Sequence, residues 1–311
     1  MKIDSEKKQF SLITAYLLAS ANALIIGLSF SFGKVAVTQA GPVDSLAFRF
    51  VIAFALCFAY ARLKEIHPNF GWKNSLRLLP MALCFPVGFF AFQGLGFLFA
   101  TSGEAGILAA MGPIFTAIIA AVFIKERYNL IQSLSILLSV AGVIYIAVQQ
   151  GASLDNVAGI TLLLLSALAG AIYAVSNRVL VRSFSSFEIA YFLMLVGAVA
   201  FSLASFVQHA VYGTFSTMFV PFSDMTFTVA ILYLSLFPSL LATLFVSLAL
   251  KRLTSAGLTI FLNLSTVISI FVGYFWLGEP VHAYHLIGTA MILAGVVGTN
   301  ALGKKIDRKN P

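Results

Sequence analysis

Ten stretches of predominantly apolar residues follow one another along the chain, each long enough to cross a bilayer as a helix. A spanning helix takes about 20 such residues. The stretches are 12–34, 44–61, 75–100, 104–124, 130–149, 157–179, 187–211, 227–250, 256–277 and 283–302. What remains is short connections and the two tails, 1–11 and 303–311, so no connection can hold a folded soluble domain. Only 10% of the 311 residues are charged, and the mean hydropathy is +0.99. A soluble domain has roughly a quarter charged residues. The chain therefore reads as a polytopic, all-α integral membrane protein. Alternation of polar and apolar residues, the barrel pattern, is absent, and a backbone in lipid must satisfy its own hydrogen bonds. The first stretch has a basic leader, yet it is long and nine more follow, which predicts a retained span.

Basic residues orient the spans. With both termini in the cytoplasm, all of the 19 Lys and Arg except Lys34 and Arg49 fall on the inner side. The opposite orientation inverts this ratio. The net charge of +8 is thus a signal of topology, spread over short connections. It does not point to nucleic acid. Cys57 and Cys84 lie inside apolar stretches and read as small hydrophobes.

The chain repeats itself. A shift of 153 lays Thr101-Ser102 on Thr254-Ser255, Glu126 on Glu279, and Ala141-Gly142-Val143 on Ala294-Gly295-Val296. A shift of 152 lays Phe85-Pro86 on Phe237-Pro238. The expected repeats are 12–150 and 157–302, with five spans each. Five is odd, so the second copy would enter the membrane inverted, as in many secondary transporters.

The runs Thr101-Ser102-Gly103-Glu104-Ala105, Met111-Gly112-Pro113-Ile114-Phe115, Phe123-Ile124-Lys125-Glu126-Arg127 and Ala141-Gly142-Val143 resemble the EamA-type repeat. Thr254-Ser255-Ala256, Trp276-Leu277-Gly278-Glu279-Pro280 and Ala294-Gly295-Val296 resemble its second copy. The likeness is to the drug/metabolite transporter (DMT) superfamily and covers essentially the whole chain. Thr266 stands where Pro113 predicts a proline, which points to a straighter ninth helix. The resemblance implies a ten-helix secondary transporter in the cell membrane. It implies movement of small metabolites, most often export of amino acids or related compounds. The driving force would be an ion gradient, H+ included, or the substrate's own gradient.

Polar side chains in lipid are costly and turn toward the bundle. Asn22, Ile26, Ser29 and Gly33 share one face of the first helix; Ser166, Gly170, Tyr173 and Asn177 share one face of the sixth. A shift of 144 superimposes the two sets. Thr259, Asn263 and Thr266 on the ninth helix, Gln93 on the third, and Ser235 and Ser239 on the eighth complete the polar inventory. The substrate-binding candidates are Asn22, Ser29, Gln93, Tyr173, Asn177, Ser239, Asn263 and Thr266, with Phe89 and Phe92 as aromatic walls. They suit a neutral or zwitterionic solute, since Lys and Arg are absent from the span centres. The competing reading of each is helix-to-helix hydrogen bonding, above all for Ser and Thr.

Glu104 is the proton-coupling candidate, with Arg49 as its partner, both near outer span ends. Glu126 and Glu279 read as capping or local pairing groups in turns. His282 and His285, spaced i, i+3 beside Glu279, read as an exposed outer loop, and no metal site or cofactor is expected. Gly27-Leu28-Ser29 resembles a fragment of an intramembrane serine-protease motif, but no histidine lies in a span core to activate Ser29. A membrane enzyme therefore lacks its acid–base cluster. A receptor or scaffold needs no inverted repeat. Among carriers, an importer resembling a sugar permease is the alternative to an exporter.

Overall fold

The computed structural model describes residues 12–66, 68, 70–112, 114–116, 118–119, 130–150, 154–180, 183–249 and 255–301. Among them the regular structure is entirely helical. The helices are α1 (Leu12–Leu63), α2 (Trp72–Ala82), α3 (Phe89–Gly96), α4 (Ser102–Ala109), α5 (Leu130–Gln150), α6 (Leu154–Leu180), α7 (Ser186–Tyr212), α8 (Met225–Leu234), α9 (Ala242–Ala249), α10 (Ser255–Leu277) and α11 (Ala283–Ala301). Wide π-type turns over Leu83–Gly88 and Ser235–Leu241 join α2 to α3 and α8 to α9. Six helical stretches among the described residues are long and apolar enough to cross a membrane: Thr14–Leu63, Trp72–Gly96, Leu130–Gln149, Asn156–Asn177, Ser186–Tyr212 and Met225–Val246. Large apolar side chains such as Leu137, Val148, Leu203, Val207 and Phe271 stand exposed on the outside of the bundle. A surface of that kind belongs in lipid.

The expected connection at 35–43 is itself mostly helical. A straight helix of 52 residues would be about 78 Å long, against a hydrocarbon core of about 30 Å. Gly41 breaks it, with φ 73 and ψ 167, a backbone that a side chain disfavours. Pro42 follows as the first residue of the second arm, where its missing N–H breaks no intrahelical bond. Ser45 Oγ donates to the Ala36 and Gly41 carbonyls at 2.8 and 2.6 Å, satisfying groups that the break exposes. α4 ends at Ala109, well short of the expected 124, with a turn at 110–111; the other helix ends described here lie within a few residues of the expected ones.

Equivalent features recur at the spacing seen in the sequence. Trp72, Ser102 and Leu130 open helices, and so do Met225, Ser255 and Ala283, each 153 residues on. Pro86 and Pro238 sit inside the two wide turns. A proline removes one N–H from the ladder and crowds the preceding turn, so both helices widen at the matching point. The packing partners are exchanged as well. The first arm of α1 meets α8, where the Tyr233 hydroxyl donates to the Ile25 carbonyl at 3.0 Å. α6 meets the turn and α3, where Ser166 Oγ donates to the Phe89 carbonyl at 2.9 Å.

α5 and α11 pack along their lengths through small residues. A Cβ on Gly142 would lie 2.8 Å from the Gly288 carbonyl oxygen, and one on Gly288 would lie 3.0 Å from the Gly142 carbonyl oxygen. Ser139 Oγ bonds the Ile292 carbonyl across the same seam at 3.0 Å. Backbones this close leave no space for a side chain. Gly142→Val is therefore expected to lower stability by about 1–3 kcal/mol through overpacking, read as a lower melting temperature of the purified protein. An unchanged melting temperature would show that this seam is looser than described.

Candidate functional site

Two buried amides stand out among the interior polar groups. Asn22, on the first arm of α1, is 1% exposed, and neither its Oδ1 nor its Nδ2 has a hydrogen-bond partner. Ala19 and Ala23 beside it are buried too, so neighbouring helices close tightly over this face. Asn177, on α6, leaves its Oδ1 without a partner, and its Nδ2 lies 3.4 Å from the Tyr173 hydroxyl. An unsatisfied buried polar group costs about 1–3 kcal/mol. Such groups call for a reason, a ligand among them.

The Ser and Thr candidates are mostly engaged by the protein itself. Ser29 donates to the Ile26 carbonyl, Ser235 to Ile231 and Ser239 to Leu234, each within or beside its own helix. Thr266 on α10 donates to the Gly106 carbonyl on α4 at 3.0 Å. These hydroxyls hold helices and turns together. The Tyr173 ring stacks on Phe85, centroids 4.3 Å apart, within a cluster that includes Phe89 and Phe90. A second aromatic wall is formed by Phe32, Tyr233 and Phe237, with ring pairs at 4.3 and 5.0 Å. Gln93 is half-buried on α3. Thr259 and Asn263 lie on α10, but their side chains are outside the described residues, as is Glu126 altogether.

The end of the bundle that carries the turns before α4 and α11 is tied by carboxylates. Glu104 closes a capping box with Thr101, its Oε2 accepting from the Thr101 N–H at 2.7 Å. Glu279 reaches α4 from the α10–α11 turn. It accepts from the N–H groups of Ser102 and Gly103 at 2.8 and 3.2 Å and from Ser102 Oγ at 2.7 Å. A carboxylate there meets the unpaired N–H groups and the positive end of the helix dipole. Glu279 is thus a cap, but one that joins segments 177 residues apart. Lys34 Nζ donates to the carbonyls of Phe97 and Ala100.

His285 corrects the expectation of an exposed loop: it is 5% exposed. Its Nδ1 accepts from the His282 N–H at 3.2 Å, which leaves the proton on Nε2. That Nε2 lies 3.4 Å from Glu104 Oε1, an ion-pair distance without hydrogen-bond alignment. A cavity of about 340 Å3 opens here, lined by Lys34, Thr101, Glu104, Asn156 and Tyr284 among others. Of the described residues selected from sequence as site candidates, only Glu104 lines it.

Arg49 is not the partner of Glu104. It is 4% exposed, on the second arm of α1, where its Nε donates to Ser239 Oγ at 3.0 Å. Its guanidinium carbon stands 4.1 Å from the centre of the Phe90 ring. Asp44 on the same arm pairs elsewhere, with Ser205 Oγ at 2.6 Å and His209 Nε2 at 3.0 Å. The sequence offered no periodic signal for either pairing, since the partners lie more than 150 residues away.

The EamA-like transporter family model matches the chain twice, over residues 13–148 and 157–301. A Bacillus subtilis (strain 168) protein named "Uncharacterized transporter YcxC" is 38% identical over 304 residues, covering 94% of this chain and 95% of its own. A Streptantibioticus cattleyicolor protein named "Probable terminal-alkyne amino-acid exporter" is 30% identical over 241 residues, covering 76% and 78%. Among solved structures, one described only as a crystal structure of a protein superimposes with a TM-score of 0.63 at 17% identity, covering 94% of this chain and 99% of that one. That likeness concerns the fold alone.

The contrast between free amides and engaged hydroxyls can be read by experiment. Thr266→Ala should lower stability by about 1 kcal/mol, the net worth of a typical hydrogen bond. Asn22→Ala removes no bond, so the melting temperature should fall less than for Thr266→Ala. Glu279→Gln should destabilise by about 1.5–3 kcal/mol, because charge-assisted bonds to a helix N-terminus are lost. Thermal melting of the purified variants checks all three, and Asn22→Ala melting below Thr266→Ala would contradict the assignment.

Proposed function

The chain belongs to the EamA-like transporter family, and from that premise we propose that it exports a small neutral or zwitterionic metabolite, an amino acid or a related compound, by alternating access. The observation that carries this reading is the pair of incompletely bonded amides, Asn22 and Asn177, on α1 and α6. These are the two helices whose polar faces correspond at a shift of 144. Spare donors and acceptors in a dry interior are what a polar solute needs for binding, and the aromatic walls of Phe85–Tyr173 and Phe32–Tyr233 supply apolar contact. The amino-acid exporter among the relatives supports the same substrate class and direction.

In this reading the membrane topology is ten spans, with both termini in the cytoplasm of a plasma-membrane protein. The repeats 12–150 and 157–302 are inverted with respect to one another. Matching helix starts and exchanged packing partners support that arrangement. The Glu279–α4 tether then closes the outer end, and the cavity beside it is an outer vestibule. Glu104, facing His285 in that vestibule, is the group for coupling to H+. Substrate binds deeper, between the first arm of α1, α3, α6, the α8–α9 segment and α10.

Counterflow in liposomes tests transport directly. Labelled amino acids outside should accumulate transiently when the same unlabelled amino acid is loaded inside, and Asn22→Ala should weaken the apparent affinity about two- to tenfold. Equal accumulation in protein-free liposomes would remove the reading. For topology, Lys305→Cys in a background lacking Cys57 and Cys84 should react with an impermeant thiol reagent only in inverted vesicles. Reaction in intact cells would overturn the orientation.

A further inference from the structure

We propose that the Arg49 guanidinium is the anchor for a carboxylate of the transported solute; the proposal rests on the carrier reading above and narrows its substrate class. The placement comes first. Arg49 lies eight residues beyond the break at Gly41, about 12 Å along the helix. It is 4% exposed, so nearly all of the side chain lies inside the bundle. The bundle around it is apolar and aromatic, with Phe90 under the guanidinium and Phe50 5.5 Å away.

The charge balance comes next. A buried cation is retained only when it is paired or hydrogen-bonded. Arg49 spends Nε on the Ser239 hydroxyl and stacks on Phe90, and among the described residues its terminal Nη atoms have no hydrogen-bond partner. The carboxylates within the described bundle are otherwise committed. Asp44 bonds Ser205 and His209. Glu104 bonds Thr101 and faces His285. Glu279 caps α4. No described acid pairs with Arg49. The Nη edge is the fork that matches a carboxylate in a bidentate contact. A single guanidinium carries one charge, which balances one carboxylate; a phosphate dianion would want further cations. Lys34 is engaged by the Phe97 and Ala100 carbonyls instead.

The Phe90 ring links Arg49 to the predicted binding face. Phe90 packs on Phe85, centroids 5.1 Å apart, and Phe85 stacks on Tyr173. A solute held by its carboxylate at Arg49 would therefore lie against the aromatic wall that ends in Tyr173 and Asn177. Ser239, selected from sequence as a binding residue, acts here as a positioning residue, fixing Nε so that the Nη edge stays free.

The test uses the full-length protein and matched probes: L-leucine, L-methionine and L-phenylalanine, each beside its carboxamide. Binding is read as a shift in melting temperature in detergent, and transport as counterflow in liposomes. The wild-type protein is expected to bind at least one of the acids about ten- to a hundredfold more tightly than its carboxamide, the span of a lost charge-assisted contact. Arg49→Gln should bring the acid down to the level of the carboxamide and leave the carboxamide unchanged. Arg49→Lys should recover part of the difference, because it keeps the charge and loses the fork. Acid and carboxamide binding equally to the wild type would overturn the proposal, and that comparison stands even if Arg49→Gln does not fold. A folded Arg49→Gln with undiminished affinity for the acid would overturn it too. Protection by inorganic phosphate with all acids inert would assign the cation to another anion and overturn it. Counterflow of labelled amines or sugars but of no acid would overturn the anchor and leave the carrier standing. Binding of acids through Arg49 without counterflow would support the anchor and remove the transport reading.

Discussion

A lipid bilayer offers no hydrogen-bond partners, and most of the described interior follows from that. Every polar group in the bundle must be satisfied by the chain or by something the chain binds. Ser45 bonds carbonyls at the Gly41 break, Ser166 ties α6 to the Phe89 carbonyl, Thr266 ties α10 to α4, and Glu279 fills the open N-terminus of α4. Against this background of satisfied groups, Asn22, the Asn177 carbonyl and His285 Nε2 are buried exceptions, and Arg49 spends only its Nε on a hydrogen bond among the described residues. Leaving them unpaired is costly in the resting protein. A carrier can make use of that cost, since a solute that supplies the missing partners recovers it on binding.

The same constraint shapes how the helices meet. Small-residue seams let helices meet backbone to backbone, as at Gly142 and Gly288. The link between the α10–α11 turn and α4 is of another kind: one carboxylate spanning two N–H groups and a hydroxyl. Breaking it exposes a few polar groups and no apolar core. At a bundle end near water, such a contact can be exchanged at modest cost.

Much of the architecture was legible in the chain. Apolar length marked the helices, and the coincidence of Phe85-Pro86 with Phe237-Pro238 marked a repeated pair that lies in two widened turns, a widening that the pair alone did not announce. The bend was only half visible. Gly41-Pro42 signals a break, yet residues 35–40 carry no helix stop and continue the helix. The site was less legible for a physical reason. A periodic stripe says which face a residue occupies but not whether its hydroxyl finds a carbonyl on its own helix, as Ser29 and Ser239 do. Amides are too large to be satisfied that way, and among the described residues Asn22 and Asn177 keep buried atoms without a hydrogen-bond partner. Long-range pairings were invisible altogether: Arg49 with Ser239, and Asp44 with His209. Counting Arg49 as an interfacial charge relied on its distance from a span end, and the helix arm begins earlier than that count assumed.

The central claim is that the face carrying Asn22 is reached from each side of the membrane in turn and is covered by the transported solute. Accessibility of Asn22→Cys, in a protein lacking Cys57 and Cys84 and reconstituted in liposomes, measures this most directly. An impermeant thiol reagent added to one side and then, in separate samples, to the other should label the position from both, and saturating solute that supports counterflow should slow both reactions. Labelling from one side only, or at a rate that the solute leaves unchanged, would contradict the account.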